Sequence, residues 1–266
     1  MGMLGDRWHE VKCFLRHAWR AKGPHGVHSP FVYHLITRVL KAKNHGLANE
    51  AIRHERKRLL KSTEEIEVLD FGAGSRVNSQ VKRRVSEIAQ SALQPDSHAR
   101  VMAILAEHAK AKNILELGTS LGITTACISS ALPEAKVYTI EGCDSISAQA
   151  RSVWERVGLG SIDLTTGSFS DVLESVLNRM PSVDFVIIDG DHRGKACMEY
   201  LETILPFTHE NTVIVLDDIY WSPSMTEAWE TIIHDNRFSL TLDFFDFGVL
   251  YKTTGRVKEH FVLKRP

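Results

Sequence analysis

The sequence predicts a doubly wound α/β protein: a mostly parallel, seven-stranded sheet with an antiparallel C-terminal hairpin, preceded by an N-terminal helical cap. Three observations carry this expectation. From residue 98 onward, five apolar runs of strand length alternate with stretches of helical periodicity. Two of the apolar runs in the chain lead through an acidic residue into a glycine turn, "VLDFGAGSR" and "ILELGTSLGITT". Near the end, "SLTLDFFDFGVLYK" places two β-rich runs around Asp246-Phe247-Gly248, the pattern of a hairpin.

Taken in order, Trp8, Val11, Phe14, Leu15, Ala18 and Trp19 recur at helical spacing, so 7–21 reads as an amphipathic helix. "KGPHGVHSP" ends it, and Ser29 with Pro30 opens a second helix over 31–40. A basic helix over 49–61 follows, then "VLDFGAGSR", then a helix over 80–93. Residues 1–97 are expected to form the helical cap and 98–266 the α/β domain. Within that domain, a helix at 98–110 leads into "NILELG", and helices at 123–130, 147–157, 169–178, 195–204 and 225–234 alternate with "KVYTIEG", "IDLTTG", "VDFVIIDG" and "NTVIVLDD". There are no internal repeats or low-complexity tracts.

Composition narrows the class. Of 266 residues, 43% are apolar and 24% charged, ordinary for a soluble globular chain, and no apolar run approaches the ~20 residues of a membrane span. The net charge of −1 hides an asymmetry, about +7 over residues 1–65 and about −8 over the remainder. A basic helical segment can face nucleic acid, an anionic substrate or a membrane surface, or simply be solvated. The cysteines Cys13, Cys127, Cys143 and Cys197 form no Cys-x-x-Cys pair, which fits a reducing compartment. The N-terminus shows no signal-peptide core, and "MGMLGD" places Asp6 where a myristoylation signal needs Ser or Thr. A cytoplasmic location is the expectation.

One such domain needs one cofactor loop. In a doubly wound sheet the strand after the cofactor strand should end in an acid that can accept ribose hydroxyls. After "ELGTSLG" this happens at once, since Glu141 ends "VYTIE" 19 residues past Gly122. After "DFGAGS" comes the basic "RVNSQVKRRVSEIAQ", with no acid-ended strand before Glu116. The second loop is therefore expected to hold the cofactor. Neither loop has the Gly-x-Gly-x-x-Gly spacing that lets a pyrophosphate approach a helix N-terminus, which weighs against a dinucleotide. Glu116 and the helix start at Gly122 to Thr124 suit the ammonium and carboxylate of an amino-acid tail.

With "LELGTSLGITT", "TIEG", "TTGSF", "VIIDGDH" and "IVLDDIYW" in order, residues 98–252 resemble the class I S-adenosylmethionine-dependent methyltransferases. These have a Rossmann-like fold, and the chain looks most like their small-molecule O-methyltransferases of the catechol and caffeoyl-CoA type. The whole chain also resembles a group of uncharacterised bacterial methyltransferases. The resemblance implies S-adenosyl-L-methionine as cofactor, with Glu116, Gly118, Ser120 and Gly122 at its methionine end and Thr124 on its carboxylate. It implies Glu141 on the ribose diol, and Ser168 and Phe169 at the adenine.

In the metal-dependent members, an Asp after the fourth strand and an Asp-Asn pair after the fifth bind a divalent cation, usually Mg²⁺. Asp189 and Asp217 match, while Asp218 replaces the Asn and adds a charge. The alternative is that these acids cap turns or meet the sulfonium without a metal. His192 stands at the position of the family's catalytic Lys, and an imidazole with its ordinary pKa near ~6.5 suits a general base. Asp189 joins it as a catalytic candidate, and Asp191 could orient His192 or enter the metal shell. "LDFGAGSR" is expected to contact substrate from the cap, or else to be a packing turn. The partner expected is a small-molecule acceptor rather than nucleic acid, because the fourth strand ends in "DGDH" and not in the Asn-Pro-Pro-Tyr-like tetrapeptide of base methylases. A non-catalytic S-adenosylmethionine-binding protein is the other reading, and a homodimer is compatible with the chain.

Overall fold

A computed structural model describes residues 3–41, 49–69, 80–93, 95–160, 162–252 and 257–266. They fall into two compact units, residues 43–181 and the discontinuous set 1–42 with 182–266. These units divide the chain at points other than residue 97.

In the contiguous unit, α3 (Glu50–Leu60) is capped by Asn49, whose Oδ1 accepts the Ala51 N–H at 3.0 Å. The strands β1 (Glu65–Leu69) and β2 (Gln80–Arg84) form an antiparallel ribbon with Val68 opposite Val81. Helix α4 (Val85–Ala92) follows. The single helix expected over 80–93 is therefore a strand and then a helix. Val81 belongs to the β1 ladder, and the helical spacing holds only from Val85 through Ile88 and Ala89. The strand of "VLDFGAGSR" is the end of β1 in this ribbon, while 70–79, with Asp70, Gly72, Gly74 and Arg76, lies outside the described residues.

Helix α5 (Asp96–His108) leads to β3 (Asn113–Leu117), α6 (Ile123–Ala131), β4 (Lys136–Glu141), α7 (Asp144–Val157), β5 (Ile162–Thr166) and α8 (Phe169–Leu177). Strand β4 runs parallel between β3 and β5. Val153 and Trp154 of α7 are buried in one cluster with Ile123 and Ala126 of α6, Leu59 of α3 and Ile88 of α4. Burying such side chains contributes roughly 1.5–3 kcal/mol each, which fixes the helices against the carboxyl-end loops.

In the other unit, α1 (Met3–Arg20) and α2 (Pro30–His34), with a π-helical turn over Leu35–Val39, accompany the C-terminal elements. These are β6 (Val183–Ile188), α9 (Gly194–Ile204), β7 (Thr208–Asp217), α10 (Pro223–His234), β8 (Leu240–Asp243), β9 (Phe247–Tyr251) and β10 (Glu259–Val262). Strands β6 and β7 are parallel, β9 is antiparallel to both β7 and β8, and β10 is parallel to β8. The hairpin exists, but its turn is Phe244 to Asp246, with Phe245 at φ +75° and its N–H on Asp243 Oδ1 at 2.9 Å. Gly248 lies within β9 instead, where a Cβ would come 2.5 Å from the Trp229 ring. The seven expected strands are β3 to β9, and β10 was not expected.

Helix α1 is tied to this hairpin. His17 Nε2 lies 3.3 Å from Asp243 Oδ1, and the Tyr220 hydroxyl donates to Asp243 Oδ2 at 2.6 Å. Burial works to raise the Asp243 carboxyl, but the bonds from His17, Tyr220 and the Phe245 N–H together hold it below the usual carboxylate range.

Candidate functional site

Both units carry expected site residues at the carboxyl ends of their parallel strands, where loops of such sheets bind ligands. In the contiguous unit, β3 runs into a loop whose alternate residues Gly118, Ser120 and Gly122 have φ of +103°, +48° and +75°. Only glycine adopts such angles without strain, and Gly122 has a second constraint. Its Cβ would stand 2.7 Å from Trp154 Nε1, which donates to the Gly122 carbonyl at 2.8 Å. The loop is fixed at its other end too, since the Gly118 N–H donates to the Ile140 carbonyl at 3.0 Å.

Glu141 organises this region. Its Oε2 accepts the Ser120 N–H at 2.9 Å and its Oε1 the Cys143 N–H at 3.0 Å. Burial raises its carboxyl pKa, with those N–H groups acting in the opposite direction. A carboxylate has about four acceptor sites, so capacity for a hydroxyl remains beside the N–H groups of Cys143, Ser120 and Gly142. The Glu141 carbonyl accepts from Gly167 N–H at 2.9 Å, which brings Ser168 and Phe169, at the start of α8, beside the end of β4.

Glu116 is buried, and its Oε2 accepts the hydroxyls of Thr125 and Thr139 at 2.6 Å each. Burial pushes its carboxyl up to about 7, against the two hydroxyl bonds and with a smaller push from Glu141. Sequence reasoning missed both threonines. Of the adjacent pair in "GITT", Thr124 is half-buried in the first turn of α6 and Thr125 points to Glu116. The adjacency itself was the available signal, because consecutive helical residues diverge by about 100°.

In the discontinuous unit, Ile188 pairs with Leu216, so Asp189 and Asp217 emerge from β6 and β7 side by side. Asp218 follows at φ +53°, its N–H donating to the Asp246 carbonyl at 2.7 Å. Asp189, His192 and Asp218 offer ligand atoms that all lie within 4.8 Å of one another. His192 Nδ1 is 3.6 Å from Asp218 Oδ2, and its ring centroid is 5.6 Å from that of the exposed Trp221. The geometric group thus contains His192 besides the expected Asp189 and Asp218. Asp217 is buried beneath it, its pKa raised well above the usual range first by burial and then by the Asp218 charge. A side-chain hydrogen bond with Asp189 acts the other way. Asp191 turns elsewhere, accepting Arg193 Nη2 at 2.6 Å and the Tyr200 hydroxyl at 2.9 Å.

Known proteins resemble the chain over these elements. Residues 115–219, from β3 to the turn after β7, match a family model described as a methyltransferase domain. This segment is similar to that domain, the match covering less than half of the chain. The resemblance read from the motifs, to the S-adenosylmethionine-dependent O-methyltransferases, holds over it. A catechol O-methyltransferase of Niastella koreensis is 31% identical over 126 residues, covering 46% of this chain and 56% of that protein. The chain spans about half the length of the curated relatives it matches, with 48% to 59% of each covered.

Solved structures share the fold. An SAH-bound methyltransferase of Podospora anserina superposes with a TM-score of 0.58 at 16% identity, covering 85% of this chain and 97% of that one. An O-methyltransferase of Bacillus cereus in complex with SAH gives 0.53 at 20% identity, covering 83% and 96%. The fold class is the expected one, a mixed α/β methyltransferase fold with a large, mostly parallel sheet. No helix among the described residues is long and apolar enough to cross a membrane.

Proposed function

We propose that this chain transfers the methyl group of S-adenosylmethionine to a hydroxyl of a small-molecule acceptor, assisted by a divalent cation. The observation that supports the reading is that the stretch matching a methyltransferase domain holds both a glycine loop fixed by an acid-ended strand and a strand-end acid group. S-adenosylmethionine supplies an electrophilic methyl group on a sulfonium. Gly118, Ser120 and Gly122 line its methionine end with Glu116 behind them, and Thr124 takes its carboxylate. Glu141 accepts the ribose hydroxyls on its remaining lone pairs, and Ser168 and Phe169 meet the adenine. The loop fits this role because its shape is already fixed by Glu141, Ile140 and Trp154, so little ordering is left for binding to bear.

The acid group fits a divalent cation by its chemistry: two carboxylates and an imidazole converge, with the buried Asp217 beside Asp189. Asp189, Asp217 and Asp218 would hold the ion, which supplies Lewis acidity that eases loss of the acceptor's proton. His192 takes that proton at Nε2, its Nδ1 being turned toward Asp218.

Calorimetry with S-adenosylhomocysteine tests the donor half. Glu141→Ala should weaken binding by roughly 1–3 kcal/mol, the scale of hydrogen bonds to a charged group, and Asp70→Ala should leave it unchanged. Loss at Asp70 with none at Glu141 would move the donor site to the first glycine loop.

A further inference from the structure

Helix α1 turns its apolar face to solvent. At 3.6 residues per turn Trp8, Val11, Leu15 and Trp19 fall on one stripe, with Ala18 beside it. Trp8 is 67% exposed, Leu15 63% and Trp19 88%. Phe14 leaves the stripe to meet Phe245 edge-on at 5.3 Å. The face turned to the rest of its unit carries two histidines beside the buried Cys13: His9 Nε2 lies 2.8 Å from Thr226 Oγ1, and His17 is buried on Asp243. A surface helix ordinarily shows the reverse, apolar side inward. Several large side chains exposed together on one stripe mark a contact surface.

The border of the stripe identifies what it contacts. Lys12, Arg16 and Arg20 follow at intervals of four residues along one edge, Arg16 ion-paired with Glu230 at 3.4 Å, and Glu10 lies away from it. The +7 balance of residues 1–65 has the same sign. A second copy docked antiparallel across a two-fold axis would set this cationic edge against itself. Nucleic acid offers negative charge but no apolar phase for Val11 and Leu15. An anionic lipid leaflet offers both, with tryptophan rings favoured at head-group level. Trp8 and Trp19 stand about 16 Å apart along the axis, so both ends of the stripe carry one.

We propose that α1 is a membrane-surface anchor, lying in the plane of an anionic lipid leaflet with Trp8, Val11, Leu15 and Trp19 inserted and Lys12 and Arg20 on the head groups. The helix lies on the leaflet and does not cross it.

Flotation of the full chain with lipid vesicles tests this. The chain should float with vesicles of phosphatidylcholine containing about 30% phosphatidylglycerol, stay behind with phosphatidylcholine alone, and be released by about 0.5 M salt. Lys12→Ser with Arg20→Ser should lower partitioning by about 25-fold, since each basic residue near such a surface adds about fivefold. Trp8→Ser with Trp19→Ser should abolish flotation. These side chains are exposed, and an unchanged far-ultraviolet dichroism spectrum confirms that the variants fold. Failure of the wild type to float at low salt overturns the proposal, as does undiminished flotation of the tryptophan variant. Sedimentation equilibrium adds a third outcome: a dimer dissociated by Leu15→Asp, without vesicle binding, would make the stripe an interface between copies and overturn the lipid assignment.

Discussion

Replacing Glu116 by Gln would test how the donor loop is built. Glu116 is buried and its pKa is pushed from 4.5 to about 7, chiefly by burial. A carboxyl with a raised folded-state pKa adds stability that is fully present below pH 4.5 and lost as the pH rises through about 7. At about 1.4 kcal/mol per unit the whole effect is about 3.5 kcal/mol, and most of it falls between about pH 5 and about pH 8. Gln keeps a carbonyl to accept from Thr125 and Thr139 and removes the titration. Urea unfolding of the cofactor-free protein, wild type beside Glu116→Gln, gives the difference in stability at each pH. The variant should gain on the wild type by about 2–3 kcal/mol across that window. A difference that stays constant with pH would mean that Glu116 does not titrate there, and the account of its burial would fail.

His192→Ala should lower kcat by ~10²–10⁴ while Mn²⁺ affinity by calorimetry holds, if His192 is the base. A fall in Mn²⁺ affinity would instead make it a ligand of the Asp189 and Asp218 group. Chelation by EDTA should abolish activity, Mg²⁺ or Mn²⁺ should restore it, and Asp217→Ala should block that rescue; full activity in chelator would exclude the metal. Gly194→Ala should lower stability by about 1–3 kcal/mol or more, because its Cβ would stand 1.9 Å from the Ser224 carbonyl oxygen. Gly160→Ala, with no atom within 4 Å, serves as the neutral control in the same thermal melts.

The elements from β3 to β7 were legible because each has its own period: short apolar runs for buried parallel strands, and 3.6-residue spacing for the helices between them. The ribbon was not. Its second strand carries Val81 at helical distance from Val85 and Ile88, and only the distant partner β1 makes it extended. Strand β10 is four residues long, and it is a strand because β8 offers an edge. In the candidate site, strand-end acids and the alternate positions Gly118, Ser120 and Gly122 could be read from spacing, since each has a fixed place in a strand–loop–helix unit. The Thr139 bond to Glu116 and the Tyr200 bond to Asp191 could not, because they depend on which side chains packing brings within 3 Å.

The bond between α1 and the β8–β9 hairpin joins residues 226 apart in the chain, His17 and Asp243. On a ribosome adding about 5–20 residues per second, some 10–45 s separate the emergence of the two. All of residues 43–181 are synthesised in that interval, while α1 has neither Thr226 nor Asp243 to receive His9 and His17. For that time both sides of the helix are bare, one apolar and one holding unmet polar groups. Any chain released before β8 has emerged leaves α1 in that condition permanently, a ready target for the cell's chaperones and proteases.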